Sequence, residues 1–95
     1  MLDGHEIANV TLEPLDDFLV VEPLDESELP SGLIVPANEA TQVRSGIVAA
    51  VGPDVSAVEP GDKVLFPRDA GYDVRLAGTA QKVLRRADLI ARIHD

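Results

Sequence analysis

The sequence predicts an all-β fold, a small sandwich or barrel, on three observations. Its apolar runs are short and rich in β-branched residues: Phe18–Val21, Ile47–Val51, Val64–Phe66, Val74 with Leu76, Val83–Leu84 and Leu89–Ile93. Pro and Gly fall between them, among them Pro23, Gly32, Pro36, Gly52, Pro53, Pro60, Gly61, Pro67, Gly71 and Gly78. The chain has 95 residues, 45% of them apolar, enough for one compact domain with one modest core. Many short strands separated by frequent turns form sandwiches or barrels.

Taken in order, Val10 to Leu15 leads into the first strand, Phe18–Val21. The longest stretch without a strong strand signal follows, Glu22–Ser45, with Asp25, Glu26, Ser27, Glu28, Asn38 and Thr41. A loop of this length in so small a domain is uncommon and tends to be functional or disordered. In its middle stands an apolar island, Leu33-Ile34-Val35, between Gly32 and Pro36. Gly32 allows a bend there, and Pro36 limits the freedom of the chain after it. By spacing alone the triplet is equally an ordinary buried strand. Strands are expected next at Ile47–Val51, Val64–Phe66 and Val74–Leu76. The last segment, 81–93, partly matches helical spacing through Val83, Leu84, Ala87, Leu89, Ile90 and Ile93. Arg85-Arg86-Ala87-Asp88 serves equally as a turn between two strands.

Composition narrows the function. The formal charge of −9 repels phosphate backbones and anionic lipid, so neither nucleic acid nor a membrane surface is an expected partner. Only Phe18, Phe66 and Tyr72 are aromatic, too few for a platform that stacks single-stranded bases. The absence of Cys excludes disulfides, thiolate catalysis and zinc thiolate sites. The sequence shows no transmembrane run and no secretory signal, so a cytoplasmic location is expected.

Five motifs, in order, resemble the GroES-type co-chaperonins. Glu13-Pro14-Leu15-Asp16-Asp17 before Phe18-Leu19-Val20-Val21 resembles that family's Pro-Leu-x-Asp-Arg opening and first strand. Ser31-Gly32-Leu33-Ile34-Val35-Pro36 resembles its mobile-loop motif. Gly46-Ile47-Val48-Ala49-Ala50-Val51-Gly52 is similar to its Gly-x-Val-x-Ala-Val-Gly strand, and Pro60-Gly61-Asp62-Lys63-Val64-Leu65-Phe66-Pro67 to its Val-Gly-Asp-x-Val-Leu-Phe segment. Tyr72 to Leu76 and Ala87-Asp88-Leu89-Ile90-Ala91 resemble its closing strands. Each motif alone is weak, but the set spans Glu13 to about Ile93. There are three departures. Phe18 stands where the family usually has Arg. Pro53–Val58 is too short for the roof hairpin of many members. Met1–Leu12 extends the usual start.

The resemblance implies a small irregular β-barrel over residues 13–95, after an extension at 1–12. It implies a long mobile loop at about 24–45 and a shortened or missing roof hairpin. It also favours strand, turn and strand over helix for 81–93. In function it implies a non-enzymatic cap for a GroEL-type chaperonin ring, acting as a homo-heptamer, with Gly32, Leu33, Ile34, Val35 and Pro36 docking on the chaperonin. Val10, Leu12 and Leu15 of one subunit would meet Leu89, Ile90 and Ile93 of the next. No cofactor is expected in this chain. ATP belongs to the partner, since no phosphate-binding glycine loop with Lys and Ser or Thr occurs here.

Other candidates carry little. Asp16, Asp17, Asp25, Glu26 and Glu28 do not follow calcium-loop spacing, and no metal site is expected. His5 and His94 stand near the chain ends, without positioned partners. Ser27, Ser31, Ser45 and Ser56 have no nucleophile-elbow context. Arg85 and Arg86 beside Asp88 form the only basic cluster and read as surface charge at the final turn. A second reading keeps the barrel but gives it another protein partner, as an oligomeric binding module. A dehydrogenase reading, suggested by the same barrel core, lacks the Gly-x-Gly-x-x-Gly motif it needs.

Overall fold

The computed structural model describes residues 10–24 and 42–94. They form six strands: β1 (Phe18–Pro23), β2 (Val43–Val51), β3 (Lys63–Pro67), β4 (Tyr72–Leu76), β5 (Thr79–Arg85) and β6 (Ala91–Ile93). A single 3-10 turn, Arg86–Asp88, separates β5 from β6. The ambiguous segment 81–93 is thus strand, turn and strand. Asp88 Oδ2 accepts the Arg85 backbone N–H at 3.0 Å, which caps the start of that turn, and Leu89 then returns the backbone to an extended conformation.

All pairings are antiparallel, in one sheet of order β4-β5-β1-β2-β3-β6. The sheet curls around its own inner face. Leu19 and Val21 of β1, Val48 of β2, Val64 and Phe66 of β3 and Leu84 of β5 form one buried cluster with Val58. β5 and β3 are separated by two strands, yet their inward side chains belong to this one cluster. The edge strands β4 and β6 do not pair with each other among the described residues, so hydrogen bonds do not close the barrel.

Alternation sets the two faces. Leu19 and Val21 point inward, while Phe18, Val20 and Glu22 point outward. The register slips between Val20 and Val21, where Ala49 is the extra residue on β2. Such a bulge sharpens the local twist. Gly46 is required by packing. A Cβ there would collide with Val21 Cγ1, and would lie 2.8 Å from Glu22 O and 3.2 Å from Phe66 Cε1.

The connection from β2 to β3, residues 52–62, contains no strand, as the short Pro53–Val58 stretch predicts. Gly52 N–H donates to Phe18 O and Asp54 N–H to Asp16 O, both at 2.9 Å. Gly61 N–H donates to Val48 O at 2.8 Å. Arg86 Nε donates to Ser56 O at 2.7 Å, and an Arg92 terminal N–H to Ala57 O at 2.6 Å. Two arginines from the end of the chain therefore fasten this connection to the barrel.

Residues 68–71 carry the chain from β3 to β4, from one side of the sheet to the other. Lys82 holds this crossover. Its ammonium is nearly buried, donates to Arg68 O at 2.6 Å and lies 3.2 Å from Asp73 Oδ1.

Candidate assembly and docking surfaces

The segment 25–41 includes Gly32, Leu33, Ile34, Val35 and Pro36, which lie outside the described residues. The structure describes the two ends that carry it. Leu24 N–H donates to Ser45 O at 2.9 Å, and an Arg44 terminal N–H donates to Leu24 O at 3.2 Å. Below them Pro23 pairs with Gly46 and Glu22 with Ile47. The segment therefore leaves and returns at neighbouring points, held by a two-strand ladder. Arg44 is fixed by this arrangement at a cost, because its Nε is buried with no hydrogen-bond partner, as is Ser45 Oγ.

The residues proposed from the sequence for assembly fall on two separate surfaces. The first is the segment 10–15, beside the outward face of β1, β5 and β4. One groove of about 410 Å³ is lined by Val10, Leu12, Val20, Ala50, Leu76 and Gln81. A second, of about 400 Å³, runs on between Leu12, Pro14, Leu15, Phe18, Tyr72 and Val83. Val20 is buried although it lies outside the core cluster, so this outward face is apolar and partly covered. Leu15 is 65% exposed, Tyr72 69% and Val10 51%, while Leu12 is half-buried. The hydrophobic effect disfavours leaving such side chains in water.

The second surface is β6 and the residues before it. Ile90 is 56% exposed, although its N–H is tied to Leu65 O at 2.9 Å. Leu89 packs against the barrel's own core, and Ile93 is half-buried. The β6 edge facing away from β3 is unpaired among the described residues. An open edge with an exposed Ile beside it invites another strand.

The departure at Phe18 has a structural counterpart. Arg85, directly opposite on β5, lays its guanidinium over the Phe18 ring, 4.4 Å from the centroid, and pairs with Asp17 at 3.1 Å. A guanidinium therefore stands beside this position, supplied by β5 instead of β1. The signal that would have found it is the pair Asp17-Phe18 together with an exposed arginine on the neighbouring strand, but the register must be known first.

No group of three or more His, Cys, Asp or Glu side chains able to hold a metal occurs among the described residues. Among them, too, no helix is long and apolar enough to cross a membrane.

Comparison with known proteins places this geometry. The model of the family described as "Chaperonin 10 Kd subunit" matches residues 11–93. A co-chaperonin GroES from Gemmatimonas aurantiaca is 35% identical over 97 residues, covering 93% of this chain and 100% of that protein. One from Campylobacter curvus is 35% identical over 85 residues, covering 88% of this chain and 99% of that protein. One from Streptomyces albus is 35% identical over 95 residues, covering 90% and 93%.

Proposed function

The chain belongs to the chaperonin 10 Kd subunit family, and from that premise we propose that it is a non-enzymatic co-chaperonin that caps a GroEL-type ring in an ATP-dependent manner and assists protein folding. It acts in the cytoplasm, as a homo-heptamer, and ATP is bound by the partner. The observation that carries this reading is the family match over residues 11–93, which includes both barrel and loop segment.

Docking is assigned to Gly32, Leu33, Ile34, Val35 and Pro36. Burying the three apolar side chains on a partner gains roughly 1.5–3 kcal/mol each, about 5–9 kcal/mol together. Ordering backbone costs roughly 1–2 kcal/mol per residue fixed. Half a dozen ordered residues offset most of the gain, so one copy binds weakly. A ring of copies binds firmly through effective concentration, and still releases when the partner's surface changes. The ladder at Leu24 and Ser45 supports this role, since it delivers the segment from a fixed base.

Assembly is assigned to Val10, Leu12 and Leu15 of one subunit against Leu89, Ile90 and Ile93 of the next. Two different surfaces on one chain make a head-to-tail contact, which closes into a ring when the rotation permits.

Chaperonin-dependent refolding of a denatured, aggregation-prone enzyme tests the proposal. With ATP, the wild-type chain raises the refolded yield and Ile34→Asp does not, although its native mass is unchanged. An Ile34→Asp chain as effective as wild type would remove the docking assignment. A wild-type ring with no effect would favour the barrel as a binding module for another protein.

A further inference from the structure

We propose that the subunit contact is keyed by charge: Leu15 of one copy enters a cavity beside β6 of the next, and the carboxylates flanking it, Glu13 and Asp16, meet Arg92 and Arg86. This rests on the head-to-tail assembly proposed above and adds what fixes its direction.

The cavity holds about 150 Å³ and is lined by Ala57, Val58, Leu89 and Ile90, with Arg86 and Arg92 at its side. A void near this size accommodates a group as large as a benzene ring, so a leucine side chain fits it. Its lining is part apolar and part polar, and its two charged members are both cationic. The matching ligand is an apolar knob between two acids. That pattern stands on the same chain, in Glu13-Pro14-Leu15-Asp16, where Leu15 is 65% exposed and both acids are exposed. Neither acid side chain has a hydrogen-bond or ion-pair partner among the described residues, whereas the next acid, Asp17, is already taken by Arg85.

Both arginines are pre-positioned and keep donors to spare. Arg86 uses Nε on Ser56 O, and Arg92 uses one terminal nitrogen on Ala57 O and, at 3.6 Å, on Asp62. A guanidinium has five N–H donors, so each retains several for a second carboxylate. Asp62 lowers the positive potential at Arg92 without exhausting it.

The occupant is a second copy of this chain. Segment 10–17 carries three acids and no base, so two such segments repel each other, as do two Arg86–Arg92 surfaces. Only the unlike pairing is attractive, which excludes face-to-face dimers and leaves the direction a ring needs. The apolar contact supplies affinity, and the charges supply partner choice.

The test uses the full-length chain, which contains no cysteine. Under mild oxidation with diamide, Leu15→Cys/Ile90→Cys is expected to give a ladder of covalent oligomers, and either single variant none. Native mass spectrometry then follows two half-swaps, Glu13→Arg/Asp16→Arg and Arg86→Glu/Arg92→Glu. Each is expected to raise the concentration for half-assembly about tenfold or more. The deficit shrinks in high salt, which screens exposed charges. The four-residue full swap restores assembly. Wild type that is monomeric throughout removes the ring reading, and this proposal with it. Wild type that assembles while the double-cysteine chain gives no ladder, or while folded half-swaps match wild type, overturns the charge key alone. Dimers from a single-cysteine variant also overturn it, since they require like surfaces to meet.

Discussion

Replacing Lys82 by Met asks whether the β3–β4 crossover is held by a single ammonium. Met keeps an unbranched apolar stem of similar reach, so the change removes the charge and its donors while most of the packing survives. The lost bond, Lys82 Nζ to Arg68 O at 2.6 Å, is a charged donor on a carbonyl in a part-buried place. Such bonds contribute about 1.5–3 kcal/mol. The ion pair to Asp73 adds little, because the Asp73 side chain is 87% exposed and water screens it. Relief from desolvating the ammonium offsets part of the loss. The net expectation is about 1–3 kcal/mol for Lys82→Met and under about 1 kcal/mol for Asp73→Asn. Urea unfolding followed by far-ultraviolet circular dichroism measures both, since the chain has no Trp. It should be run at one chain concentration, because any assembly adds a concentration-dependent contribution. With a slope near 1–1.5 kcal/mol per molar, Lys82→Met lowers the midpoint by roughly 0.7–3 M. Equal losses from the two variants would refute the reasoning, because they would place the stabilisation in the exposed ion pair.

Three further outcomes are expected. Gly46→Ala forces a Cβ into Val21 Cγ1 and the Glu22 carbonyl, neither of which can yield cheaply, and lowers the melting midpoint by roughly 5–20 °C in calorimetry. Arg44→Met loses the 3.2 Å bond to Leu24 O but also removes the buried, unpartnered Nε, so denaturant unfolding shows a change within about 1 kcal/mol of wild type. Ile93→Asp places a carboxylate beside the open β6 edge and is expected to dissociate the assembly in native mass spectrometry. An unchanged mass would exclude that edge from the interface.

Much of the barrel was legible because its signals are local. Apolar runs such as Phe18–Val21 and Val64–Phe66 mark inward-facing strands, and the Pro and Gly residues between them mark where strands stop. The missing hairpin could be counted from the six residues 53–58. What stayed hidden depends on register, which brings distant residues together. Lys82 reads as a surface lysine until β5 is aligned with Val21 and Asp73, and its main partner is a backbone carbonyl fourteen residues away. Arg85 reads as surface charge beside the final turn, yet it lies on Phe18 and pairs with Asp17, 68 residues away. Arg86 and Arg92 bind carbonyls of the 52–62 connection, which have no sequence signature at all. The sequence offers two apolar sets for assembly, Val10, Leu12 and Leu15 against Leu89, Ile90 and Ile93, without saying which members are exposed. Only the fold separates exposed Leu15 and Ile90 from Leu89, which serves the chain's own core.

Co-sedimentation of the wild-type chain with the GroEL-type ring of its own organism, with and without ATP, tests the central claim most directly. The account predicts that the assembled chain travels with the ring when ATP is present and stays behind when it is absent. An assembled chain that remains in the supernatant in both conditions would contradict it.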